Sequence, residues 1–185
     1  MAHIGVVAVA TVLSIFAWLT LLLNAATVAL IAIVVRRTRP QFKLFEVFVS
    51  RARHVAAVVT VAASLGSLYL SEIGNLTPCR WCWIQRTAMY PLALILVIAW
   101  CCRDGHVRRY ALPIAVLGMG ASAWHYLLQR VPSLSDADSC SLVTPCSVTY
   151  LEKFGFISIP WMAGSVFLFT VVLLTGFGSN ENGVR

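Results

Sequence analysis

The sequence predicts an all-α integral membrane protein, a four-helix transmembrane bundle carrying an extra N-terminal transmembrane helix. Three observations predict it. Hydrophobic residues make up 59% of the 185 and charged residues only 11%, against roughly a quarter charged in a soluble domain, and mean hydropathy is +0.84. Five apolar runs, at about 10–34, 54–71, 87–102, 110–128 and 159–177, approach the ~20 residues that cross a bilayer. The basic residues gather between alternate runs rather than along the chain.

The first run starts near Ile4, lacks a basic leader and a small-residue cleavage site, and therefore reads as a retained span rather than a cleaved signal. It forms a unit of its own over residues 1–35, followed by a basic segment at 36–53. That segment carries Arg36, Arg37, Arg39, Lys43, Arg51 and Arg53, which makes it cytoplasmic, because short cytoplasmic loops accumulate Lys and Arg. Its interspersed Phe42, Leu44, Phe45 and Phe48 fit either a stretch lying on the membrane surface or a plain linker.

The remaining four runs make one helical unit over 54–177, with a cytoplasmic tail at 178–185. The short Arg103–Arg109 turn is again basic and cytoplasmic. The opposite face receives the amino terminus, the connection at 72–83, and a loop over 129–158 in which Asp136, Asp138 and Glu152 offset Arg130 and Lys153. The formal charge of +7 is then a sign of topology, and no nucleic-acid partner is expected.

That topology sorts the six cysteines. Cys101 and Cys102 lie near the cytoplasmic face, where disulfides are rare, and read as small apolar residues. Cys79, Cys82, Cys140 and Cys146 lie on the extracytoplasmic side. Cys79-Arg80-Trp81-Cys82 has the spacing at which two thiols close a redox-active ring, and a helix amino terminus favours the thiolate there. Zinc would want a second close pair or paired histidines, so no metal is expected. Arg86 begins to enter a span, at a cost of a few kcal/mol that usually marks a partner or a pathway. Four residues past Cys82 it shares a helix face with it, so Cys82 is the sulfur expected to ionise more readily.

The run Cys79-Arg80-Trp81-Cys82-Trp83-Ile84-Gln85-Arg86 and then Met89-Tyr90-Pro91-Leu92 resembles the bacterial disulfide bond formation protein B family, DsbB, especially its short-loop, BdbC-like branch. His125-Tyr126-Leu127-Leu128-Gln129, the Cys140 and Cys146 pair, and Phe154-Gly155-Phe156-Ile157-Ser158-Ile159-Pro160 match in the same order, over about 54–177. The resemblance implies a multi-pass enzyme of the bacterial cytoplasmic (inner) membrane. Such an enzyme reoxidises an extracytoplasmic thioredoxin-fold thiol oxidase of the DsbA or BdbD kind and passes electrons to a membrane quinone, ubiquinone or menaquinone.

Carried over by residue, the resemblance makes Cys140 the sulfur that the partner attacks and Cys146 its mate. Cys79 exchanges with that pair, through a transient Cys79–Cys146 disulfide, and Cys82 stands beside the quinone. Arg86, Gln85 and His125 become quinone-side residues. The span over 1–35 precedes the family's usual four. Two alternatives stand beside this reading. A vitamin K epoxide reductase-like quinone reductase is one, although its Cys-X-X-Cys follows the loop pair whereas here it precedes it; a structural membrane protein with static disulfides is the other.

Overall fold

The structure is a computed structural model that describes residues 2–36, 51–131, 134 and 152–176. Five helices account for nearly all of it: α1 (Ala2–Arg36), α2 (Ala52–Glu72), α3 (Arg80–Cys102), α4 (Arg108–Arg130) and α5 (Ile159–Gly176). Each is long and apolar enough to cross a membrane, and among the described residues there is no strand beyond one isolated bridge, Lys153 to Ile157. The protein is an all-helical membrane protein. A bilayer core offers no water to free N–H and C=O groups, so a spanning chain must satisfy them within its own helices. The surface agrees, with Leu22, Leu65, Leu94 and Leu117 largely exposed around the periphery.

Lipid tails are as apolar as leucine, so helices in a bilayer associate by close packing, which small residues permit. On α2 the buried Ala52, Ala56, Thr60 and Ser64 recur every fourth position. On α4 the buried stripe is Ala111, Ala115, Gly118, Ser122 and His125. Consecutive helices α2, α3, α4 and α5 pack in turn and α5 returns to α2, while α1 rests against α5. At the α4–α5 crossing a Cβ on Gly118 would meet Phe167 Cζ at 2.3 Å. Phe167 is fully buried, so this approach requires glycine.

The two ends of the bundle differ in chemistry. At one, the Arg53 guanidinium donates to the Asp104 carbonyl, joining the start of α2 to the α3–α4 turn with Arg103, Arg108 and Arg109. At the other lie Cys79 and the turn before α5, where Phe154 (φ 57°) and Gly155 (φ 75°) adopt left-handed backbone. Arg130 holds that turn through an ion pair with Glu152 at 2.9 Å and a bond to the Gly155 carbonyl at 2.8 Å.

The helices agree with the apolar runs except at two starts: α1 begins at Ala2, eight residues before the run at 10, and α3 begins at Arg80, seven residues before the run at 87. The apolar Trp81, Trp83 and Ile84 continue α3 back to the cysteines. Cys140, Cys146, most of the 36–53 segment and the 178–185 tail lie outside the described residues.

Candidate dithiol site

Cys79 is the residue that caps α3. Its backbone is extended (φ −75°, ψ 175°) and its sulfur accepts the N–H of Cys82 at 3.4 Å, as a serine or aspartate oxygen does at other helix starts. The helix turns Cys82 back toward it, so the two Sγ atoms lie 3.0 Å apart. That is within about an ångström of the 2.05 Å of a disulfide. Closing and opening the ring therefore needs little movement of the chain.

The two sulfurs face different surroundings. Cys79 is 5% exposed and packs against Leu128, with Trp81 and Leu134 around it. His125, 1% exposed, brings Nε2 to 3.5 Å from Cys79 Sγ. The Gln85 side-chain amide donates to His125 Nδ1 at 3.0 Å, which leaves the ring proton on Nε2, facing the sulfur. The Cys82 thiol bonding to Sγ of Cys79, together with the His125 ring, outweighs burial and pulls the Cys79 thiol down to about 4. The sulfur that ionises readily is thus Cys79, contrary to the expectation for Cys82. The cap, the imidazole and the neighbouring thiol all converge on the first cysteine.

Cys82 instead lines a cavity of about 500 Å³, within the range of small-molecule sites. Cys82, Gln85, Arg86 and Met89 line it along one face of α3, spaced as neighbours on a helix surface. Arg86 enters this space as expected, but tethered. Its Nε donates to Ser67 Oγ at 3.0 Å and its Nη2 to the Ser67 carbonyl at 3.0 Å, and it lies 5.3 Å over the Trp83 ring. These bonds take two of the five donors of a guanidinium. The remaining walls are mostly apolar, from Val59 and Ala63 on α2 to Met162 and Val166 on α5.

Cys79 Sγ, Cys82 Sγ and a His125 ring nitrogen lie within 4.8 Å of one another, a donor set that a zinc-type ion can use. Sequence spacing points away from such a set, because it offers no second close pair or paired histidines and His125 falls within a span. A signal for it exists, because His125 continues the small-residue stripe of α4 and Gln85 opens the buried stripe of α3. Ser67 carries no such signal. Of the quinone-side residues implied by the resemblance, Arg86 and Gln85 line the cavity, while His125 stands behind Gln85 against Cys79.

Residues 49–176 match the family model described as disulfide bond formation protein DsbB. The chain belongs to the DsbB family. Among similar proteins, "Disulfide bond formation protein C" of Bacillus subtilis (strain 168) is 46% identical over 117 residues, 63% of this chain and 85% of the relative. "Probable disulfide formation protein C" of Halalkalibacterium halodurans is 43% identical over 111 residues, 60% of this chain and 81% of that one. "Probable disulfide formation protein C 1" of Bacillus anthracis is 45% identical over 101 residues, 55% and 73% of the two chains. No solved structure matches the chain. DsbB-family membership with five spanning helices makes this a membrane disulfide oxidoreductase, and α1 lies outside the DsbB match.

The Cys79 environment carries a testable pH dependence. A depressed pKa keeps the thiolate above about pH 4 and loses it only as pH falls through that value. Alkylation of Cys79 in the reduced protein, followed by mass spectrometry, is expected to stay flat from pH 8 to about pH 5. An ordinary thiol of pKa ~8.5 slows by nearly a hundredfold between pH 8 and 6. His125→Leu should steepen the profile, and a wild-type rate still climbing between pH 7 and 9 would contradict the assignment.

Proposed function

We propose that this protein reoxidises an extracytoplasmic thioredoxin-fold thiol oxidase and delivers the electron pair to a membrane quinone, ubiquinone or menaquinone, through Cys140–Cys146 and then Cys79–Cys82. The observation that carries this reading is the division of labour in the dithiol. One sulfur is held as a thiolate by a cap and an imidazole, and the other lines a lipophilic cavity headed by Arg86. The basic residues gathered at the opposite end of the bundle support an extracytoplasmic position for both pairs.

The residues fit a quinone. Apolar walls suit a lipophilic tail, and Arg86 and Gln85 offer donors to ring carbonyls at the end where Cys82 stands. Bound there, a quinone supplies an acceptor for two electrons and two protons.

The exchange balances as follows. A partner thiolate attacks Cys140, the Cys140–Cys146 bond breaks, and the second partner thiol resolves the mixed disulfide, so the partner is oxidised and the loop pair reduced. Cys146 then attacks Cys79, breaking its bond to Cys82 and freeing the Cys82 sulfur at the cavity. Cys140 displaces Cys79 from Cys146, re-forming the loop disulfide and leaving Cys79 and Cys82 reduced. Thiols of low pKa leave faster, and the cap and the His125 Nε2–H favour Cys79 as that leaving group. Oxidation of Cys79 and Cys82 back to the disulfide surrenders two electrons and two protons at the cavity. Chain connectivity permits the meeting, because Leu134 packs at Cys79 and Cys140 follows six residues later, a reach of at most about 20 Å.

The test is anaerobic. Purified protein, a reduced thioredoxin-fold partner and a quinone are expected to yield one quinol per partner disulfide, with no stoichiometric metal in the resting protein. Partner oxidation without quinol would remove the quinone. One equivalent of zinc, lost together with stability on chelation, would replace the relay by a metal site on Cys79, Cys82 and His125.

A further inference from the structure

The helix outside the family match completes the cavity. Phe16, Leu19, Thr20, Leu23 and Ala26 of α1 line it, and their spacing of three and four stacks them in one stripe. From Phe16 to Ala26 is ten residues, about 15 Å of helix rise. At the upper end Phe16 lies over Gly66, where a Cβ would come within 2.7 Å of its ring, next to the Ser67 that tethers Arg86. Trp18 packs edge-on against Phe154 at 4.9 Å between ring centroids. Far down the helix, a Cβ on Gly176 of α5 would lie 2.7 Å from Val34, so α1 is seated near both ends. Between them α1 stands beside α2 with the cavity in the seam.

We infer that α1 is the wall that reads the tail of the lipophile. On the quinone reading above, the ring sits by Arg86 and Cys82 while the polyprenyl tail runs down the seam along Leu19, Leu23 and Ala26, between α1 and α2. This wall cannot attract the tail by hydrophobicity, because bilayer lipid is as apolar as leucine. It acts by shape, holding an extended tail in a slot whose width the α1 side chains set, and the four helices matched by the family model supply only the other sides.

The experiment measures equilibrium binding to the full-length protein, without turnover, of two quinones with one head group, one bearing a polyprenyl tail and one bearing none. Ala26→Trp, which fills the deep end from the α1 side, is expected to weaken the tailed quinone about tenfold, as overpacking a close-fitted contact does, and to leave the tailless one unchanged. Val28→Trp, on the exposed side of α1 and 66% exposed, should change neither. A tail-borne photoreactive group should label α1. Equal effects of Ala26→Trp on both quinones, no effect on either, or label confined to α2–α5 would overturn the role of α1. Failure of the wild type to bind either quinone would instead overturn the quinone reading on which this role rests.

Discussion

Cys82→Ser is expected to abolish quinol formation and leave the partner reduced, a fall of at least about a thousandfold, as losses of a reacting group commonly are. The helix face that carries Cys82 also carries Gln85, Arg86 and Met89 into the cavity, so in the proposed relay position 82 is where electrons leave the protein. A serine oxygen there can neither close the ring with Cys79 nor be oxidised. The protein should still fold, since Cys82 is only half-buried and lies outside the main core. Cys79→Ser should be equally inactive although its helix is still capped, because a serine oxygen can accept the Cys82 N–H in place of sulfur. Anaerobic turnover with quinol analysis, beside circular dichroism and thermal unfolding, makes the check. A static structural disulfide predicts the reverse pattern, with stability lost and the partner's redox state untouched, and that outcome would end the relay.

Arg86→Leu is expected to raise the quinone KM by roughly 10- to 100-fold with a smaller change in kcat, the scale of one charge-assisted hydrogen bond at about 1.5–3 kcal/mol. Ser67 holds Nε and Nη2 at 3.0 Å each, which orients the remaining donors without consuming them. Arg86→Lys should restore little, because an ammonium lacks the planar fork that can bond Ser67 and a ligand together. Ser67→Ala should give a milder rise in KM, since the guanidinium keeps its charge and its place over Trp83 but loses its tether. Steady-state kinetics over a range of quinone concentrations separates these effects. An Arg86→Leu enzyme with an unchanged KM would mean that the side chain only reaches for headgroups.

Five helices and the placement of a Cys-X-X-Cys at a helix start were determined by the sequence alone, because lipid forces each spanning segment to be long, apolar and internally hydrogen-bonded. The same local logic put Cys82 and Arg86 on one face, since i and i+4 meet on any helix. What only the tertiary structure decided are the pairings between helices. His125 meets Cys79, Gln85 orients His125, Ser67 tethers Arg86, and α1 closes the cavity. These depend on how each helix is rotated about its axis and how deeply it sits against its neighbours, which steric fit at residues such as Gly118 and Gly66 sets. That is why the sulfur favoured as a thiolate moved from Cys82 to Cys79. Sequence proximity to Arg86 pointed to one cysteine, and an imidazole brought from another helix chose the other.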